Sequence, residues 1–163
     1  VSGVAEGGDR MAGPLACHSA PMSALVVVPA YTPPLPDDAH LTLVWPGDTP
    51  EPQVAARLAA MVTMFSQQHP AFAAKVMGTS LFGTNHDEPV LLVQLTTQLA
   101  MMRAAVAQFS KSEHTEFRPH VAVPYLGRLG VARKLPKLLY FNQISFWPTA
   151  EGNKDEISAW FAG

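Results

Sequence analysis

Ala39-His40-Leu41-Thr42-Leu43-Val44-Trp45-Pro46-Gly47 alternates. Leu41 and Leu43 fall on one parity, His40 and Thr42 on the other. Side chains of an extended strand alternate between faces. The stretch therefore reads as a strand that buries its leucines and presents a histidine and a hydroxyl on the opposite face. One such pair on a strand is usually an ordinary surface feature, but this chain repeats it. Phe117-Arg118-Pro119-His120-Val121-Ala122-Val123-Pro124-Tyr125 buries Val121 and Val123 and turns out His120 with Ala122. Two histidines on two matching strands suit acid–base work on a phosphate. Imidazole titrates near neutrality, so one neutral ring can take a proton from a nucleophile while a protonated ring gives one to a leaving oxygen.

Composition sets the frame for that pair. The 163 residues predict one domain with a sizeable core, and 48% hydrophobic against 15% charged residues argues for a folded chain rather than a disordered one. The formal charge of −2 provides no global basic field to gather a long duplex, so a small or locally bound phosphate ester is the better-fitting partner. Cys17 is alone, which excludes an intrachain disulfide and a cysteine-based metal site and is compatible with a reducing cytoplasm, the expected compartment. No run approaches a membrane span, and no membrane partner is expected. Residues 1–22 are rich in Gly, Ala, Ser and Pro and lack apolar periodicity. They read as a flexible leader or linker, with the folded domain at 23–163.

Along that domain, Ala24 to Pro29 is a buried strand and Tyr31 to Asp38 a proline-rich loop. Thr49-Pro50-Glu51 opens a helix, with Thr49 as its capping hydroxyl. Val54, Leu58, Met61, Val62 and Phe65 form its apolar stripe, its two methionines fill the core, and His69-Pro70 ends it. Phe72 to Phe82 is a curving strand, Gly83 to Pro89 a turn holding an exposed His86, and Val90 to Leu95 a strong strand. Thr96 or Thr97 caps a second helix carrying Leu99, Met102, Val106 and Phe109. Lys111 to Glu116 is a loop containing His114. Gly127 to Lys137 is a loop or short helix that concentrates Arg128, Arg133, Lys134 and Lys137. Leu138 to Trp147 and Glu156 to Phe161 are strands. Strands and helices thus recur as two similar units, each with one histidine strand, giving an α+β architecture with mostly antiparallel pairing.

The repeated motif resembles the signature of the 2H phosphoesterases, which include the 2′-5′ RNA ligases and 2′,3′-cyclic phosphodiesterases: two His-x-Thr/Ser-x motifs, x apolar, in two similar halves. His40-Leu41-Thr42-Leu43 matches the first in full, with Pro46-Gly47-Asp48 like the turn that follows. Arg118-Pro119-His120-Val121 is similar to the approach to the second, and Phe82-Gly83 to the turn between the halves. The likeness runs from about Ser23 to Ser158. Ala122 departs from it, standing where the family has Thr or Ser. The resemblance implies a two-lobed, pseudo-twofold fold with outer helices and a central cleft where the motifs face each other. It implies a metal-independent phosphodiesterase that takes no cofactor and acts on RNA ends, 2′-5′ linkages, or small or oligomeric cyclic nucleotides.

In that reading His40 and His120 are general base and acid, and Thr42 donates to a nonbridging phosphate oxygen. Thr42 is otherwise a β-branched residue suited to any strand. Arg118 shares parity with His120 and clamps phosphate, or else pairs with Glu116 or solvent. Trp45 and Tyr125 follow their histidines at the same offset. Either is placed to stack a nucleobase, with core packing the stronger reading for Trp45. Ala122 makes the enzyme slow. The competing class is a catalytically weak nucleotide-binding or interaction module within a larger assembly, favoured by Ala122 and the linker-like N-terminus.

Overall fold

The computed structural model describes residues 23–83, 85–113, 116–123, 135–148 and 156–162. The leader, His18, Cys17, His114, Tyr125, Arg128, Arg133 and Lys134 lie outside them.

Among the described residues, seven strands and two helices follow in the order β1 (Ala24–Pro29), β2 (Leu41–Val44), α1 (Pro52–Gln68), β3 (Phe72–Phe82), β4 (Glu88–Val93), α2 (Thr97–Val106), β5 (His120–Ala122), β6 (Leu138–Trp147) and β7 (Ile157–Trp160). A single 3-10 turn, Ala107–Phe109, continues α2. The strands form one sheet in the order β1-β2-β5-β4-β3-β6-β7, and all their pairings are antiparallel. The fold is α+β, as the two strand–helix units require.

The sheet closes on itself. The first half of β6 pairs with β3 and the second half with β1. Two arms result, one of β7, β6, β1 and β2, the other of β5, β4 and β3. They meet at the β2–β5 seam. Irregular register in β1 and β3 bends the strands where the arms must turn. Gly78, beside the β3 shift, has φ +147, a conformation that a side chain would strain. A ring of six strands is too narrow to hold a helix, since eight enclose little more than side chains. The helices therefore lie outside. The main core packs between them and the outer sheet face, with Leu25, Leu41, Leu43, Leu91, Val121, Ile144 and Phe146 meeting Leu58, Val62, Phe65, Leu99 and Met102. A smaller cluster of Ala24, Val26 and Trp147 fills part of the inner face, with Trp45 and Val28 against it. Strand β1, walled in by both clusters, has to be apolar on nearly every residue, and it is.

Local chemistry sets the element ends. Helix α1 starts later than Thr49 predicts: Glu51 is its N-cap residue and makes no side-chain cap bond. Glu51 precedes Pro52, and a residue before proline is driven into extended backbone, here φ −59 and ψ 147. The helix can therefore begin only at Pro52, where the missing N–H costs nothing. Met61 packs against the core, but Met64 turns to solvent, so only one of the two methionines acts as filler. Thr96 caps α2 as expected, its Oγ1 accepting from the Leu99 N–H at 3.2 Å.

Candidate functional site

Strands β2 and β5 are neighbours, with Leu41 opposite Val121. Both side chains are fully buried in the outer core. One residue to either side, antiparallel register sets Thr42 opposite His120 and His40 opposite Ala122. These four residues share the inner face. The two motifs are thus related by a local twofold axis across one strand pair, at the floor where the arms meet. The histidines are diagonal neighbours, roughly 7–8 Å apart at the backbone, within reach of one phosphate between their rings.

Each ring is held the same way. Nδ1 of His40 donates to the Asp38 carbonyl at 2.9 Å, and Nδ1 of His120 donates to the Arg118 carbonyl at 2.8 Å. A carbonyl oxygen can only accept, so Nδ1 carries the hydrogen in both neutral rings. Nε2 is left as the basic nitrogen. An aromatic ring braces each imidazole: Trp147 meets His40 edge-on at 4.6 Å, and Phe82 lies 4.5 Å from His120.

Burial holds both imidazoles below the ordinary histidine value, because the sheet interior penalises the charged form. The bonds to the carbonyls oppose this in both. The neighbouring charges differ. The Asp38 carboxylate favours a proton on His40, whereas His40 itself and the Arg118 guanidinium disfavour one on His120. These neighbouring charges, taken alone, favour a proton on His40 over one on His120.

The other expected residues divide. Thr42 is half-buried, and its hydroxyl bonds to no described residue. Ala122 is half-buried on the inner face between His40 and Val90. The next hydroxyl along that row is Ser80, opposite Val90 and two strands from Ala122, about 10 Å away. Arg118 reaches the site through Phe82, its guanidinium 4.9 Å over the ring that also braces His120. Trp45 packs on the small inner cluster, and its Nε1 donates to Asp48 Oδ1 at 3.1 Å.

Two ring braces join the site in roles that the motif pattern does not give them, and a third residue supports the first motif strand from the outer face. Trp147 and Phe82 brace the histidines through pairings distant in sequence, and no local pattern announces them. Arg103, on α2, donates to the Leu43 carbonyl at 2.7 Å and stacks over Phe117 at 5.2 Å, tying the helix to the first motif strand. Its place one turn after buried Leu99 was the available signal. Among the described residues, no three His, Cys, Asp or Glu side chains stand together as a metal cage. Nor, among them, is any helix long and apolar enough to cross a membrane.

A comparison with curated proteins finds no match. A solved structure titled "Crystal structure of phosphoesterase" is similar at a TM-score of 0.49 and 12% identity, covering 88% of this chain and 99% of its own. The family model described as "2'-5' RNA ligase superfamily" matches residues 30–160. That span takes in both motif strands, both helices and β7. The chain belongs to the 2′-5′ RNA ligase superfamily, the 2H phosphoesterases.

Proposed function

We propose that the protein is a phosphodiesterase that uses His40 and His120 as a proton-transfer pair. The observation that carries this reading is the matched tethering of the two rings. Each Nδ1 is committed to a carbonyl two residues upstream, which sets the two rings in matching orientations on one face of adjacent strands.

In hydrolysis of a 2′,3′-cyclic phosphate, neutral Nε2 of His120 takes a proton from water as its oxygen bonds to phosphorus. The bond from phosphorus to one ribose oxygen breaks, and Nε2–H of protonated His40 gives that oxygen its proton. The product is a phosphomonoester. The charge asymmetry supports this division of labour, with the carboxylate beside His40 and the guanidinium beside His120. The same geometry serves a 2′-5′ linkage or a cyclic oligonucleotide, with water or a ribose hydroxyl as nucleophile. Thr42 donates to a nonbridging oxygen, and Arg118 adds positive charge at the rim. The residues supply both acid and base, so the reading calls for no cofactor.

The test is turnover of 2′,3′-cyclic mononucleotides, 2′-5′ dinucleotides and cyclic dinucleotides by the wild type, His40→Ala and His120→Ala. Each variant is expected to lose on the order of 10²–10⁴ in kcat with its fold intact. An ester with a p-nitrophenolate leaving group needs little protonation, so it should recover much of the loss in His40→Ala and little in His120→Ala. Wild-type rates in both variants would end the proposal. Binding without turnover across the panel would favour the interaction module that Ala122 brings to mind.

A further inference from the structure

The inner face continues past His40 into a second feature. The strand register places Val26 opposite Thr42, Val28 opposite Gln143, and Gln143 opposite Trp160. Continuing the β1–β2 register by one residue sets Val28 beside His40. One row therefore runs Trp160, Gln143, Val28, His40, Ala122 across four strand spacings, with all side chains on the inner parity. At about 4.8 Å per strand, Gln143 stands roughly 10 Å from His40 and Trp160 roughly 14 Å.

At Gln143 the row meets a cavity of about 330 Å³ under the β1–β2 loop, within the size range of small-ligand sites. Val28, Gln143, Pro29, Leu35, Asp37 and Tyr31 line it. The carboxamide of half-buried Gln143 bonds to no described residue. Trp160 on one side is 68% exposed and Tyr31 on the other 75% exposed. Two large aromatics left in solvent beside a free amide form a poor surface but a good receptor for a flat, polar-edged ring. An indole stacks on any base, and an amide carries a donor and an acceptor for the base edge.

We infer that Gln143, Trp160 and Tyr31 form a nucleobase subsite, which takes the base of the nucleoside whose oxygen leaves on the His40 side. The orientation rests on the proposed phosphodiesterase reading; the subsite itself does not.

Isothermal titration separates the two. The probes are nucleoside 2′-monophosphates, with ribose 5-phosphate and inorganic phosphate as base-free controls. The proteins are wild type, Gln143→Ala, Trp160→Ala and Trp160→Phe. Wild type is expected to bind the nucleotides more tightly than either control. Trp160→Ala should weaken nucleotide binding roughly 5- to 150-fold, the alanine-substitution range for one stacked base, with the controls unmoved. Trp160→Phe should restore most of it, and Gln143→Ala should weaken binding with a changed order among the bases. Equal binding of nucleotides and controls by wild type overturns the subsite, as does a variant that weakens both alike or neither. Turnover without base dependence sinks this inference alone, whereas base-dependent binding without turnover supports it and sinks the phosphodiesterase reading.

Discussion

Substituting Ala122 by threonine would restore the hydroxyl that the second motif lacks. The register puts residue 122 directly across from His40, and its half-buried position between His40 and Val90 sits at the mirror image of Thr42. A hydroxyl there would point at the same phosphate from the other arm. A hydrogen bond to a charged oxygen contributes about 1.5–3 kcal/mol, and applied to the transition state that is roughly 13- to 150-fold in rate. Threonine suits a strand, so the fold should bear the change. We expect Ala122→Thr to raise kcat/KM on a 2′,3′-cyclic nucleotide within that range and Thr42→Val to lower it by a similar factor. The swap variant, Thr42→Val with Ala122→Thr, moves the single hydroxyl across the local twofold and should keep activity nearer wild type than Thr42→Val does. Parallel steady-state assays with matched melting temperatures decide it. An Ala122→Thr protein that is folded but no faster would refute the reasoning, because the phosphate would then be satisfied without a second hydroxyl.

Other consequences follow from the same geometry. Both histidines sit below their unfolded value near 6.5, so between the folded values and about pH 6.5 the unfolded chain binds more protons. Stability should fall as pH drops through that window and be level above it; melting scans from pH 7.5 to 5 should show the slope, flattened in a His40→Gln, His120→Gln double variant. Arg103→Met keeps the stem on Phe117 but strips the Leu43 carbonyl of its donor, at a cost of about 1–3 kcal/mol, or some 2–9 °C in Tm by calorimetry. In the proposed reaction the two imidazoles supply acid and base, so activity should survive chelation and desalting; loss restored only by an added divalent ion would show that a metal takes part.

How much of this was legible in the sequence depends on the range of the forces involved. Strands β1, β3 and β6 have the bounds that the apolar pattern predicts, because side-chain alternation and flanking prolines are local facts. The α2 stripe of Leu99, Met102, Val106 and Phe109 is buried to the last residue for the same reason. Helix α1 began later than its hydroxyl suggested because two prolines competed for the first turn, and steric hindrance at Glu51 decided between them. The histidines were visible as a repeated motif, but their setting was not. The Trp147 contact needs β6 to reach β1 across more than a hundred residues, and Phe82 meets His120 only because β3, β4 and β5 lie side by side. Neither neighbour is implied by alternation along its own strand.

Antiparallel pairing at the seam turns two similar motifs into complementary ones. In an antiparallel pair, two identical His-x-Thr stretches centred on each other bring each histidine opposite the other motif's hydroxyl residue, never opposite its like. The arrangement separates the two imidazoles diagonally, which limits their mutual repulsion, and sets a hydroxyl position beside each. The same symmetry cannot tell acid from base. In the proposed reaction that distinction has to come from what surrounds the seam, where the neighbouring charges differ: the carboxylate of Asp38 on one side and the guanidinium of Arg118 on the other. Both belong to residues whose carbonyls also fix the rings. Position i−2 therefore does two things at once: its backbone orients the imidazole and its side chain biases where the proton resides. Exchanging those side chains, Asp38→Arg with Arg118→Asp, leaves both carbonyl tethers in place and should move the leaving-group rescue from His40→Ala to His120→Ala. Rescue that stays with His40→Ala would mean that burial or the substrate, and not these two charges, assigns the roles.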